Sequence, residues 1–304
     1  MENVIEISRL KKSFGDVRAV DDISFSVRKG QLFAFLGLNG AGKSTTINIL
    51  VGVVARDAGE CLVNGRSIDD AAAILPRIGI VFQSSVLDKK LTVHDNLRYR
   101  AALYGLDRHK FETNLAFLTE ALDMRDILRK SPEKLSGGQR RKADIARALI
   151  HKPDILILDE PTTGLDPKTR KIVWELVGAL RRSERLTVLL TTHYMEEAAE
   201  ADYVVIMDAG KIAARGTPID LKNEFADDYL NIYAYADELL PIVRRSALPY
   251  TTDRGYLRIG FKSTAAAKDF LVAHARLIDD MEILKGSMDD VFLAATGKEL
   301  RETV

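Results

Sequence analysis

The stretch from Gly37 to Thr45 constrains the fold of this chain more than any other. It reads GLNGAGKST and fits the spacing G-x-x-x-x-G-K-[ST] without a gap. The apolar run Leu32 to Leu36 before it predicts a buried strand, and Thr45 to Val51 after it predicts the start of a helix. A strand, a glycine-rich loop and a helix in this order indicate a phosphate-binding loop. Glycines allow its backbone N–H groups to turn toward an anion, at the positive end of the following helix.

Two side chains of the loop are expected to carry its chemistry. Lys43 should reach the β- and γ-phosphates, and the hydroxyl of Ser44 should bind Mg²⁺. The rest of the predicted nucleotide cradle is formed by Asn39, Gly40, Ala41, Gly42 and Thr45. The alternative is a glycine-rich turn with an exposed lysine, which the fixed positions and their context disfavour. The loop by itself predicts a nucleotide and not a particular reaction.

Composition narrows the classes of protein. The 304 residues, 46% of them hydrophobic, suffice for one large domain and a smaller one. Lys and Arg number 44, as do Asp and Glu, so charge does not indicate a nucleic-acid partner. A single cysteine, Cys61, excludes an intrachain disulfide and fits a reducing, cytosolic compartment. The N-terminus lacks the pattern of a signal peptide, and no apolar run approaches the roughly 20 residues of a membrane span. We therefore expect any membrane-spanning part to belong to another chain.

Hydrophobic patterning predicts an α/β fold in two parts. Short alternating runs near the N-terminus predict an antiparallel β subdomain, and residues 92–149 are mostly helical. Apolar runs at Ile155–Leu158, Thr187–Leu190 and Tyr203–Met207 alternate with helical patterns, which predicts a mostly parallel sheet. The pattern of hydrophobic residues changes between residues 222 and 228. We expect a domain over 1–222, with a helical subdomain at about 90–150, and a small α+β domain over 228–304.

Acidic residues close the second apolar strand. Asp159 and Glu160 follow Leu158 directly, at the strand end where a neighbouring phosphate loop would also lie. In that place Asp159 is expected to hold Mg²⁺, and Glu160 is expected to act as the general base on the attacking water. The alternative is a solvated acidic pair, which the nearby phosphate loop makes the weaker interpretation.

Leu135 to Gln139, which reads LSGGQ, lies at the start of a predicted helix. Ser and Gly are ordinary capping residues there. The functional interpretation is a second anion site, because the N–H groups of a helix start can face a phosphate. Two phosphate surfaces in one chain favour a two-fold dimer with shared sites. The basic run Arg140, Arg141 and Lys142 is predicted to be a solvated helix face.

The chain resembles the ATP-binding cassette (ABC) family in six motifs that follow in family order. The motifs are Walker A at 37–45, the Q-loop at Gln83, the signature at 135–139, Walker B at 155–160, the D-loop at 164–166 and the switch histidine His193. The resemblance implies a P-loop NTPase core with a helical signature subdomain. It also implies a head-to-tail dimer around two ATP molecules, in which Walker A and B of one subunit face the signature of the other.

The resemblance also implies roles that spacing alone does not give. Phe14 would stack on adenine and Val20 would pack near the ribose. Gln83 would contact Mg²⁺ or the lytic water, and His193 would bind the γ-phosphate beside Glu160. Asp166 would cross the dimer interface, and the signature would supply Ser136, Gly137, Gly138 and Gln139 to the nucleotide. The alternatives are a core phenylalanine, a solvated glutamine, a structural histidine and a turn-forming aspartate.

The alternative to a transporter subunit is a soluble ABC ATPase that acts on ribosomes or DNA, which the single set of motifs and the lack of sustained heptads between Gln83 and Leu135 disfavour. Thr191–Ala198 and Gly210–Pro218 are similar to transporter cassettes, and more narrowly to those of multidrug, antibiotic or sodium export. Met288–Leu293 resembles the end of the accessory domain in that subgroup. The resemblance implies a Mg²⁺-dependent ATPase that powers an exporter with a separate permease. It would work as a homodimer or with a paralogous cassette, peripheral to the cytoplasmic face of the membrane and without nucleic acid.

Overall fold

The computed structural model describes residues 2–253 and 255–297 and divides the chain into two units, Met1–Ile212 and Ala213–Val304. The sequence places the end of the first domain later, at residue 222. Residues 254 and 298–304 of the expected second domain lie outside the described residues.

The first unit contains a six-stranded sheet, a second sheet of four strands and the helices between their strands. In chain order its elements are β1 (Asn3–Phe14), β2 (Val17–Arg28), β3 (Leu32–Leu36), α1 (Lys43–Leu50), β4 (Ala58–Val63), β5 (Arg66–Ser67), α2 (Ala71–Ile74), β6 (Ile78–Val81), α3 (Val93–Leu103), α4 (Arg108–Ala121), α5 (Gly137–Leu149), β7 (Ile155–Asp159), α6 (Pro167–Glu184), β8 (Thr187–Thr192), α7 (Met195–Ala199), β9 (Tyr203–Asp208) and β10 (Lys211–Gly216), which begins in this unit and crosses the boundary after Ile212.

A six-stranded sheet positions the site. Its order is β10-β9-β3-β8-β7-β6, and the pairs β3–β8, β3–β9, β7–β8 and β6–β7 are parallel. Every residue of β3, β6 and β7 is buried, as expected for strands that are covered on both faces. Parallel strands end at one edge of the sheet, so the residues that follow β3, β6, β7 and β8 come together there.

A second, antiparallel sheet has the order β2-β1-β4-β5. Its buried side chains join the core of the six-stranded sheet, where the rings of Phe25 and Phe35 lie 4.8 Å apart. From Ile23 to Arg28, side chains of β2 that face the core alternate with more exposed ones.

The second unit is a small α+β unit, as the patterning predicts. Its elements are α8 (Pro218–Phe225), β11 (Asp228–Tyr235), α9 (Leu239–Arg245), β12 (Tyr250–Asp253), β13 (Tyr256–Phe261), α10 (Thr264–Ala273), β14 (Ile278–Leu284) and α11 (Met288–Thr296). The antiparallel sheet has the order β12-β13-β11-β14, which with the β-α-β-β-α-β chain order is the ferredoxin-like arrangement. Because α8 packs against α11, residues before 222 belong to this unit.

Candidate active site

The phosphate loop between β3 and α1 requires glycine at specific positions. Gly40 and Gly42 have φ of 82° and 106°, a region that side chains other than glycine rarely adopt. A Cβ atom on Gly42 would lie 2.3 Å from the carbonyl oxygen of Ala19, and one on Gly37 would lie 2.5 Å from that of Met207. The loop therefore packs closely against β2 and the end of β9, and only glycine fits at positions 37 and 42.

Lys43 folds back over its own loop. Its Nζ donates to the carbonyl oxygens of Gly37 at 2.7 Å and Leu38 at 3.1 Å, and the side chain is buried. Burial lowers the pKa of Lys43, and the carboxylates of Glu160 and Asp159 oppose that shift. The ammonium group is thus held against the carbonyl oxygens of its own loop, within the electrostatic influence of both carboxylates.

Ser44 and Asp159 meet across the sheet edge. The Ser44 hydroxyl donates to Asp159 Oδ1 at 3.0 Å, and the Thr191 hydroxyl donates to the same oxygen. The parallel register explains this meeting, because Thr191 pairs with both Phe35 of β3 and Asp159 of β7. Hydroxyl and carboxylate oxygens are hard ligands that suit Mg²⁺. The donor set therefore fits the metal that the sequence predicts.

Glu160 is hydrogen-bonded to one predicted site residue and lies near a second. Its Oε2 accepts from Gln83 Nε2 at 2.9 Å, and its Oε1 lies 3.5 Å from His193 Nδ1. The backbone of Glu160 has φ of 47°, and its N–H donates to Thr191. Such a conformation costs a non-glycine residue about 1–3 kcal/mol. The strained turn aims the carboxylate back at the phosphate loop.

A cavity of about 570 Å³ joins the phosphate loop to Gln83 and Glu160, and its size suits a small ligand; Asp159 and His193 are not among the described residues that line it. Asn39, Gly40, Ala41, Gly42, Lys43, Ser44, Thr45, Gln83 and Glu160 line it, together with Val17, Arg18, Ala19 and Ala209. The last four residues are missed by the sequence reasoning. Three of them lie on β2 directly after the turn that follows Phe14, so the hairpin pattern there was the signal that could have found them.

The two residues assigned to the nucleoside differ in exposure. Phe14 is 52% exposed at the end of β1, so the alternative of a core phenylalanine is wrong; Lys12 Nζ lies 5.2 Å from its ring centroid. Val20 is 1% exposed, lies in the core cluster and is not among the described residues that line the cavity, so its contact with ribose stays a prediction. The preceding residue, Ala19, does line the cavity.

The signature lies at the start of α5, away from the cavity in its own chain. Ser136 Oγ accepts from the Gln139 N–H at 3.3 Å, and Gln139 Oε1 accepts from the Ser136 N–H at 3.2 Å, which is a capping box. Ser136 and Gly137 are exposed. Gly138 is close to Asp166 and Thr169, because a Cβ atom on it would lie 3.2 Å from Thr169 Oγ1.

Asp166 caps α6. Its Oδ1 accepts from the Thr169 N–H at 3.0 Å and its Oδ2 accepts from the Thr169 hydroxyl at 2.6 Å. These hydrogen bonds hold the pKa of the Asp166 carboxyl below its usual range. None of the four signature residues Ser136–Gln139, nor Asp166, is among the described residues that line the cavity.

The basic run after the signature does not have the predicted exposure. Arg141 and Lys142 are buried, so the expectation of a solvated helix face is wrong for both. Lys142 Nζ donates to the carbonyl oxygen of Asp123 at 3.4 Å. The guanidinium group of Arg141 reaches backbone carbonyls beside Glu160.

Comparison with known proteins decides the family. The model of the ABC transporter family matches residues 20–163, and one described as an AAA domain, putative AbiEii toxin, Type IV TA system, matches residues 130–197. Nod factor export ATP-binding protein I of Paraburkholderia xenovorans is 36% identical over 313 aligned positions, covering 99% of both chains. The chain belongs to the ABC transporter ATP-binding proteins.

Other relatives of this ABC protein agree. Daunorubicin resistance ATP-binding protein DrrA3 of Streptomyces coeruleorubidus is 34% identical and covers 99% of this chain and 98% of its own. A solved ATP-binding subunit of an ABC transporter has 30% identity and a TM-score of 0.68 over 73% of this chain and 93% of that one. A dimeric bacterial ABC transporter cassette, at 24% identity and a TM-score of 0.65, covers 70% of this chain and 98% of its own and shares the fold. The fold is that of an α/β P-loop NTPase.

Across the described part of the chain, no helix is both long enough and apolar enough to span a bilayer.

Proposed function

We propose that this ABC ATPase hydrolyses ATP with Mg²⁺ and that hydrolysis powers export through a separate membrane permease. The observation that carries the proposal is the Glu160 carboxylate, which is held by Gln83 on the wall of the cavity that the phosphate loop forms. A carboxylate in this place can take a proton from an attacking water. The full-length relatives are named export or resistance ATP-binding proteins.

Each site residue has a role that its contacts support. Lys43 would exchange the carbonyl oxygens of its own loop for phosphate oxygens. Ser44 and Asp159 would hold Mg²⁺, and Gln83 would approach it or the lytic water. The metal would neutralise charge that develops on the phosphates. Glu160 would polarise the water, His193 would donate to the γ-phosphate, and Phe14 would offer its exposed ring to adenine.

The signature residues would act on a second copy of the chain or on a paralogous cassette. Ser136 and Gly137 are exposed at the N-terminus of α5 and are not among the described residues that line the cavity of their own chain. Helix N-termini bind anions through their free N–H groups. A two-fold pair would place each signature opposite the phosphate loop of its partner, with Asp166 near the boundary.

An exposed apolar surface on the helical part of the first unit supports docking to a permease. Tyr99 is 53% and Leu103 is 79% exposed, one turn apart on α3, and Val86 is 44% exposed in the loop after Gln83. We propose that this surface contacts the permease and holds the protein at the cytoplasmic face of the membrane. The balanced charge and the names of the relatives favour this partner over ribosomes or DNA.

Copurification tests the docking. The tagged protein should copurify with an integral membrane protein, and Leu103→Asp should remove that protein while leaving ATP turnover unchanged, because Leu103 lies outside the cavity. Val272→Asp is the control, since Val272 is 70% exposed on α10 of the second unit. Equal recovery of the membrane protein with Leu103→Asp would refute this docking surface. Association with ribosomes and with no membrane protein would overturn the transport assignment.

A further inference from the structure

Arg141 connects two segments of the site through their backbones. Its Nε donates to the carbonyl oxygen of Pro161 at 2.8 Å, and its Nη2 donates to those of Asp159 and Glu160 at 2.9 and 2.8 Å. Its Nη1 donates to the carbonyl oxygen of Phe82 at 2.5 Å. Phe82 precedes Gln83 and Pro161 follows Glu160, so one guanidinium group bonds to the backbone on either side of the contact between those two residues.

The chemistry of this contact requires arginine. The guanidinium group is a rigid fork with several donors, whereas an ammonium group is a point charge and cannot meet four oxygens spread over two segments. Arg141 is 7% exposed. Burial lowers its pKa, and the nearby carboxylates of Asp144, Asp159, Glu160 and Glu197 oppose the shift. The buried charge is thereby compensated without a direct ion pair.

A neighbouring residue strengthens the same connection. Asp144, one turn further along α5, accepts from the Ser85 hydroxyl at 3.0 Å, and Ser85 lies two residues after Gln83. Helix α5 therefore bonds to the Gln83 loop at two points and to the Glu160 segment through Arg141. The signature at Ser136–Gln139 begins the same helix.

We propose that Arg141 is a positioning residue that holds the Gln83 loop against the Glu160 segment, so that amide and carboxylate stay in register for ATP hydrolysis. It acts through the backbone and does not touch the nucleotide. Because Arg141 lies close behind the signature on α5, a displacement of the signature reaches Gln83 and Glu160 together. The inference rests on the proposed function.

The experiment compares Arg141→Lys and Arg141→Met with Lys142→Met. Lys142 is as buried as Arg141 and adjacent to it, but it contacts Asp123 and neither site segment. We expect kcat for ATP to fall about 10²-fold in both Arg141 variants, since small misplacements of reacting groups cost about that much. The KM for ATP should stay within about twofold, because binding groups are untouched. Lys142→Met should keep kcat.

Hydrogen–deuterium exchange gives a readout that does not depend on turnover. Residues 82–88 and 159–164 should exchange faster in Arg141→Lys than in wild type, and they should not do so in Lys142→Met. This comparison remains possible even if Arg141→Met fails to fold. The proposal is overturned if Arg141→Lys changes neither the exchange rates nor kcat. It is also overturned if Lys142→Met loses as much kcat as the Arg141 variants. A wild-type protein without ATP turnover overturns the proposed function instead, and the exchange result then still decides whether Arg141 holds the two segments together.

Discussion

Replacing Glu160 by glutamine should remove the chemistry of the site and keep its structure. The glutamine oxygen can accept the 2.9 Å hydrogen bond from Gln83, and its amide group then faces His193 Nδ1, which lies 3.5 Å from the present carboxylate. The unfolding free energy should therefore change by no more than the net value of one hydrogen bond, about 1 kcal/mol. A general base contributes about 10²–10⁴-fold to a rate, which corresponds to about 3–5 kcal/mol of activation free energy.

The assay has three parts. Phosphate release at saturating ATP and Mg²⁺ should fall about 10²–10⁴-fold in Glu160→Gln, while equilibrium binding of ATP stays intact. Light scattering after gel filtration should show a dimer that persists with ATP. Glu175→Gln makes the same chemical change at an exposed position on α6 and should behave as wild type. Turnover within a factor of about three of wild type would refute Glu160 as the base, and a protein that stays monomeric with saturating ATP would count against the shared site.

Two more predictions concern Lys43 and His151. Lys43→Ala removes the ammonium group that bridges Gly37 and Leu38, so we expect loss of ATP binding or turnover, measured by fluorescent-nucleotide titration and phosphate release; wild-type values for both would contradict the assigned role. The His151 ring stacks on Tyr104 at 3.9 Å, and burial, with the charges of Arg100 and Arg147, lowers its pKa from 6.5 to about 4. As the pH falls, His151 therefore binds a proton in the unfolded chain before it does so in the folded chain. The stability that the buried neutral ring contributes is complete above pH 6.5 and is lost as the pH falls toward 4. Denaturant unfolding of wild type between pH 7 and 4.5 should show a loss that is larger than in His151→Gln by on the order of 2–3 kcal/mol, whereas the exposed His109→Gln should follow wild type; parallel curves for all three proteins would contradict the shift.

Local patterns were enough to predict much of the fold and the contacts of the phosphate loop. The loop at Gly37–Thr45 has its strand and helix in sequence, so its form depends on near neighbours. The parallel strands are short apolar runs without competing helical periodicity. Since such strands end at one edge of the sheet, the proximity of Ser44, Asp159 and Glu160 could also be expected.

What escaped prediction depends on contacts that leave no sequence pattern. Arg141 appeared solvated because it belongs to a basic run on a helix, whereas its partners are backbone carbonyls, which every residue has. The cavity contacts of Val17, Arg18 and Ala19 depend on how the start of β2 pairs with β1, where the register shifts, and no local pattern shows that shift. Strand β12 is short and rich in polar residues, so it has no apolar pattern of its own. It forms at the edge of the sheet because it pairs with β13.

The contact of Lys43 with its own loop has a consequence for how fast nucleotide is captured. The two carbonyl oxygens that bind its Nζ brace the loop in the shape of its cavity. A cradle that is already ordered does not lose chain entropy at each encounter with ligand. Capture should then need one local step, the transfer of Lys43 Nζ from these carbonyl oxygens to phosphate oxygens, and no ordering of the loop backbone.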